Sequence, residues 1–321
     1  MTTRRAGKAT KARKGGGGLV VRFRGVRGSY PVPGPTTVRF GGNTPCVEVR
    51  AGEHLLIFDA GTGIIPLGEE LAGVGPETPH VEDPERPIRC ALFISHAHHD
   101  HLQGFPFFRP AYQRPNVIHV YGPRYGKAFE EVVRTTLSAP HFPVRLADMP
   151  SRHPMTDLDT GDRILFRGPA EDPVRLPPGG RACGPEDLWV EAYRNLGHPD
   201  GGVLNYRIRW RGRSLVYATD TEGTRRGDEG LAAFARGADL LIHDAMYTDE
   251  EYADPHFSVR GYGHSTCSMA IAVARRARVK RLALFHHDPA RTDSEVAALE
   301  KAARARFPGA FAAREGLSIE L

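Results

Sequence analysis

The stretch Phe93-Ile94-Ser95-His96-Ala97-His98-His99-Asp100-His101 carries an apolar run into five metal-capable side chains within six positions. Four of them, His96, His98, Asp100 and His101, form the pattern His-x-His-x-Asp-His. A strand that stops and delivers imidazoles and a carboxylate into one loop builds a metal site. Both donor types suit zinc and similar divalent ions, and catalytic zinc keeps a position open for water. The competing reading is a solvated, histidine-rich loop after a buried strand. It is outweighed by the histidines and aspartates that end other strands.

Outward from that stretch, residues 19–23, 46–49 and 54–58 read as strands, with glycine- and proline-marked turns at Gly25 to Pro31 and Gly41 to Thr44. The third strand ends in Asp59, which can orient a ligand histidine or satisfy turn amides. Residues 72–88 hold four prolines and read as a surface excursion. Beyond the histidines, 117–121 is a strand and 126–137 a helix, while Phe105 to Phe108 either walls the site or fills core. Residues 138–187, rich in proline and acids, read as insertions around the site with one strand at 163–166. His141 lies there, within reach of substrate or simply structural. The second half predicts strands at 188–192, 204–210, 214–217, 239–242, 281–285 and 317–321, and helices at 229–235, 268–278 and 294–304. Strands end at His96, Asp220, His243 and His286. Helices appear only between long β-rich stretches, which predicts an α/β (α+β) fold of two packed sheets with outer helices. Ligands on strand-end loops along one edge then meet at two metals.

Composition bounds the rest. Hydrophobic content of 40% and charged content of 25% are ordinary for a soluble globular protein, and 321 residues leave ample core. No run approaches the roughly 20 apolar residues that span a bilayer, and the N-terminus lacks the apolar core of a secretory signal. Cys46, Cys90, Cys183 and Cys267 are scattered without a Cys-x-x-Cys pair, as expected of reduced thiols in a cytoplasmic protein. The net charge of +5 is local. Residues 1–18 carry six basic side chains and no acid, and close with Gly15 to Gly18, the composition of a disordered basic tail. Setting those six aside leaves 37 basic against 38 acidic side chains, without the excess that marks a nucleic-acid enzyme. Residues 19–321 are the expected single folded domain.

Together these motifs resemble the metallo-β-lactamase fold superfamily over most of residues 19–321. The resemblance implies a four-layer αβ/βα sandwich, two mixed β-sheets with outer helices, and a centre for two divalent ions, zinc or alternatively manganese. His96, His98 and His198 would hold the first ion; Asp100, His101 and His286 the second; Asp220 would bridge them. The doubled histidine leaves His287 as a rival for the last position, and His99 falls between motif positions. An aspartate in Thr219-Asp220-Thr221 resembles the hydrolase and phosphodiesterase branches, because true β-lactamases usually carry cysteine there. Ile242-His243-Asp244-Ala245 and Gly263-His264-Ser265-Thr266 resemble ribonuclease Z and its relatives. Carried over, Asp244 orients His264, His264 assists the leaving oxygen, and Asp100 orients the nucleophile. This chain has aspartate where that branch commonly has glutamate.

Enzymes of that branch that mature transfer RNA usually carry an RNA-gripping arm between the third histidine and the bridging aspartate. Here His198 and Asp220 stand only 22 positions apart, filled by a hairpin. Arg27 to Ser29, Gly41 to Thr44 and His286 to Pro289 read more like small bacterial phosphodiesterases, including cyclic-nucleotide ones. The expectation is a cytoplasmic zinc hydrolase without a membrane partner that attacks a phosphodiester of a small or cyclic nucleotide with metal-bound hydroxide; a homodimer is implied by the resemblance alone, and the sequence leaves the oligomeric state open. The alternatives are a nuclease on RNA or DNA ends, a thioester or lactone hydrolase, and a non-catalytic binding protein that keeps the metal site as structure.

Overall fold

The computed structural model describes residues 18–74, 87–180 and 183–321. The basic segment before Gly18, and most of the excursion expected at 72–88, lie outside the described residues. Gly18 itself does not belong with that tail. It packs so closely on the C-terminal residue that an added Cβ would stand 2.3 Å from the Leu321 carbonyl oxygen.

The first half lays down β1 (Leu19–Gly25), β2 (Cys46–Ala51), β3 (His54–Phe58), α1 (Ile64–Leu71), β4 (Arg89–Phe93), α2 (His99–Leu102), β5 (Val117–Pro123), α3 (Phe129–Thr136) and β6 (Met155–Leu158). Then come β7 (Arg163–Phe166), β8 (Val174–Leu176), β9 (Leu188–Asn195), β10 (Val203–Trp210), β11 (Arg213–Ala218), α4 (Glu229–Phe234), β12 (Leu240–Asp244), α5 (Asp249–Ala253), α6 (Cys267–Ala277), β13 (Arg281–Phe285), α7 (Asp293–Arg306), β14 (Ala310–Ala312) and β15 (Ser318–Glu320). One sheet has the order β15-β1-β2-β3-β4-β5-β6 and the other β14-β13-β12-β11-β10-β9-β7-β8. Both are mixed: β3 through β6 run parallel, as do β11 through β14, and the remaining pairs are antiparallel.

Apolar residues of both inner faces fill one core, in which Phe58, Phe93, Tyr206 and Tyr217 pack ring against ring. Two further clusters seat the helices: α1 and α3 on the outer face of the first sheet, α4 and α6 on that of the second. The architecture is the four-layer αβ/βα sandwich expected above.

Several elements differ from the expectations. The insertion segment contributes three strands rather than one, and each extends a sheet edge, β6 on one side and β7 with β8 on the other. Half of the metal-motif segment is not loop: Asp100 and His101 sit in the one-turn helix α2, which starts just after His98. β12 does not stop before His243 but includes His243 and Asp244, paired across to Leu284 and Phe285.

Candidate metal centre

Parallel strands place their carboxyl ends on one edge, where open α/β sheets bind ligands. β3 runs into Asp59, β4 into Ser95-His96, β11 into Thr219-Asp220, β12 ends on Asp244 and β13 runs into His286. Asp59, Asp220 and His286 turn off their strands with φ of 59°, 50° and 59°, and Ser29 does the same after β1 at 58°. Left-handed backbone costs a non-glycine residue on the order of 1–3 kcal/mol and collects at functional sites. Four such residues around one cleft locate that site independently of any motif.

Two separate donor clusters form there, and a third group, Asp220, Asp244, His264 and His286, overlaps the second. His96, His98 and His198 make the first, and Asp100, His101, Asp220 and His286 the second, with the offered donor atoms of each cluster within 4.8 Å of one another. His198 Nε2 stands 3.2 Å from His98 Nδ1. His101 Nε2 lies 3.2 Å from Asp100 and from Asp220, and His286 Nε2 lies 3.2 and 3.3 Å from the same two carboxylates. Asp220 faces both ways: Oδ2 meets His101 and His286, while Oδ1 is 3.8 Å from His96 Nε2. His98 is the most open donor, with 43% of its side chain accessible.

Divalent cations fit these residues on three counts. His96 Nε2 and His101 Nε2 are buried without a hydrogen-bond partner, although each faces a carboxylate. The carboxylates of Asp59, Asp100, Asp220 and Asp244 are all buried, and among the described residues none has a lysine or arginine within 4.0 Å, so the site gathers negative charge that asks for cations. Apart from His101, which holds a proton that an ion would displace, protonation suits ligation as well. Burial pushes His96 and His198 down, keeping them neutral. Burial would lift Asp100 and Asp220, but the facing histidines, His101 foremost for Asp100 and His286 for Asp220, hold both well below the usual carboxylate range. Burial opposes charge on His101 too, yet the surrounding carboxylates, led by Asp100 and Asp220, push it up.

The donors are held from behind, as ligand histidines generally are. Asp59 Oδ2 accepts from His101 Nδ1–H at 2.7 Å, the Ser95 hydroxyl at 2.8 Å and the Tyr217 hydroxyl at 2.7 Å, and Oδ1 accepts from Ser95 N–H. His198 Nδ1–H donates to the Gly263 carbonyl at 3.0 Å. The Ser29 N–H donates to Asp100 Oδ2 at 2.8 Å. Gly28 allows that approach, because an added Cβ would stand 2.5 Å from the His286 ring.

Beside the second cluster, His264 Nδ1–H donates to Asp244 Oδ2 at 2.7 Å, and its ring stacks 5.0 Å from that of His286. Burial disfavours the imidazolium, but Asp244 outweighs it and His264 is raised to about 9. Next to His96 and His98 opens a pocket of about 240 Å³, lined also by Tyr125, Lys127, Val132, Pro199 and Asp200.

The seven metal-motif residues and the pair Asp244 and His264 thus converge. Others do not. His287 turns away, donating through Nε2 to the Ala313 carbonyl, so the left-handed turn at His286 decides which of the two faces the cleft. His99 and His141 are exposed and His243 is buried, and none belongs to a cluster. Phe105 and Phe108 are core, and Phe107 is exposed against Phe142. Ser29, Gly28, Ser95 and Tyr217 received no site role from the sequence. Their only local signals were position: Gly28-Ser29 in the turn that follows β1, and Ser95 just past the end of β4.

The fold and the donor set define a metal-dependent hydrolase built on a two-sheet sandwich. The chain belongs to the beta-lactamase superfamily, whose domain description matches residues 54–287. It is 31% identical to ribonuclease Z of Gemmatimonas aurantiaca, covering 94% of this chain and 96% of that protein. Ribonuclease Z of Thermococcus kodakarensis is 29% identical, over 84% of this chain and 83% of its own length. Among solved structures, the metallo-beta-lactamase fold protein YhfI from Bacillus subtilis superposes with a TM-score of 0.63 at 19% identity, covering 95% of this chain and 100% of that one. Among the described residues no helix is long and apolar enough to cross a membrane.

Proposed function

We propose that this hydrolase cleaves a phosphodiester and that its substrate is a small or cyclic nucleotide. The observation that carries the reading is the Asp244–His264 pair, a hydrogen-bonded proton carrier beside Asp220, the carboxylate of the second cluster that also faces His96 of the first. His96, His98 and His198 would hold one ion, Asp100, His101 and His286 the other, and Asp220 both; a donor set this rich in imidazole favours zinc. When bound, such a pair of ions acidifies water and offsets charge on the phosphoryl group.

The chain's own residues do the rest. Asp100, fixed by the Ser29 N–H, is placed to accept a hydrogen bond from the attacking water and aim it. Asp244 fixes Nδ1 of His264, which leaves Nε2 to deliver a proton to the departing oxygen, a contribution worth about 10²–10⁴-fold. The pocket of about 240 Å³ beside His98 is small against the roughly 300–1,000 Å³ of common ligand sites, and Lys127 gives it a cation for an anionic substrate. Most of the interval between His198 and Asp220 is taken up by the β10–β11 hairpin.

A second reading, cleavage of RNA, is favoured by the relatives named ribonuclease Z along nearly the full chain. The test is zinc-reconstituted protein assayed on bis-p-nitrophenyl phosphate, cyclic mononucleotides and short oligoribonucleotides, with His264→Ala alongside. Diester turnover that favours cyclic nucleotides and falls by about 10²–10⁴ in the variant is expected. Faster cleavage of oligoribonucleotides would select the second reading. Full diester turnover by His264→Ala, or hydrolysis of thioesters or lactones alone, would overturn both.

A further inference from the structure

Two residues after Asp220 stands Glu222, a half-buried side chain that belongs to neither donor cluster. Its carboxylate gathers donors from both ends of the segment that runs from α5 to His264. Oε1 accepts from the Tyr252 hydroxyl at 2.6 Å, both oxygens accept from the Gly261 N–H at 2.9 Å, and Oε2 accepts from the Gly263 N–H at 2.9 Å. The Arg260 guanidinium lies 5.3 Å over the Tyr252 ring and donates to the Tyr252 carbonyl, tightening the same loop.

What this loop delivers is the Gly263 carbonyl, the acceptor for His198 Nδ1–H. The fit is close: Gly263 has φ of 85°, and a Cβ there would stand 2.1 Å from His198 Nδ1. The Glu222 backbone N–H also reaches the Gly197 carbonyl, on the turn that carries His198. Ser265 joins the two segments separately, accepting from Gly223 N–H and donating to the Thr221 carbonyl, but it leaves Gly261 and Gly263 N–H untouched. Gly263 is buried, so its N–H needs an acceptor, and Glu222 is that acceptor.

We propose that Glu222 is a positioning residue that acts through the 252–263 loop. By pinning the Gly261 and Gly263 amides, it holds the Gly263 carbonyl where it keeps His198 turned with Nε2 toward His98. Its effect falls on the first ion and spares the second. The proposal rests on His198 being a ligand of the first ion, but it is read without substrate, so its failure leaves the phosphodiester reading standing.

The experiment is stepwise zinc competition with a chromophoric chelator on wild-type protein, E222Q and H198A, the last marking which step belongs to the first ion. E222Q keeps the shape of the side chain but turns an amide NH₂ toward backbone N–H groups that need an acceptor. Loss of a contact that orients a ligand histidine weakens metal affinity by about 10–100-fold. That loss is expected in E222Q at the step H198A abolishes, with the other step unchanged and faster amide exchange at Gly261 to Gly263. Equal weakening of both steps, or an unchanged first step, would overturn the proposal. Should E222Q fail to fold, E222D, which keeps the charge on a shorter stem, is expected to weaken the same step alone. An E222D variant that weakens both steps or neither would overturn it equally.

Discussion

Asp59 accepts four hydrogen bonds from three residues, and each fixes something near the metals: the His101 tautomer, the Ser95 turn and the Tyr217 hydroxyl. Asp59→Asn keeps the volume but presents an NH₂ to donors, so affinity for the second ion is expected to fall about 10–100-fold in a chelator titration. Gly28→Ala acts on the same ion sterically, since its methyl would displace the His286 ring. Loss of the second ion with the first retained, read by metal analysis, is the expected outcome. Far from the cleft, His119 on β5 is buried 3.3 Å from Asp172, and burial holds it below its ordinary value. The unfolded chain therefore takes up that proton first as pH falls below about 6.5, so the contribution is full above that pH and is lost below it. His119→Gln should flatten the decline of the denaturation midpoint on acidification.

Element boundaries followed from local chemistry where local chemistry decides. β13 was legible to the residue because an apolar run stops at the histidine pair, and α7 nearly so. α7 opens with a capping box, Thr292 accepting from Glu295 N–H while Glu295 reaches back to Thr292 N–H. Thr292→Ala should cost about 1 kcal/mol in a denaturant titration. α1 was not legible. Pro66 and Gly68 lie within it and Gly63 supplies no side-chain cap, so nothing local announces a helix; Leu67 and Ile64 are held by packing under the first sheet. α2 is too short for any period, and β6, β8 and β14 are three- or four-residue edge strands that exist because a neighbour offers its edge.

At the scale of the whole molecule, the expected metal donors were readable because they stand in short motifs on the segments that follow strands, Asp100 and His101 within α2. Their supports were not. Tyr217 reaches Asp59 across 158 positions, Ser29 reaches Asp100 across 71, and Glu222 reaches Gly261 across 39, so only the sandwich brings them together. That sandwich stores several buried carboxylates at one edge that have no lysine or arginine partner among the described residues, and metal bound there stabilises the fold by mass action, by about 4 kcal/mol at a thousandfold excess over Kd. Chelation is accordingly expected to lower Tm, with recovery on adding zinc back; an unchanged Tm would mean the carboxylates are balanced some other way. The central feature remains Asp220, with one oxygen toward each cluster. Metal content and bis-p-nitrophenyl phosphate turnover, measured together on wild type and Asp220→Ala, address it directly. Two ions and activity in the wild type, with metal lost and turnover abolished in the variant, are expected; full metal content with undiminished turnover in Asp220→Ala would contradict a centre built on a shared carboxylate.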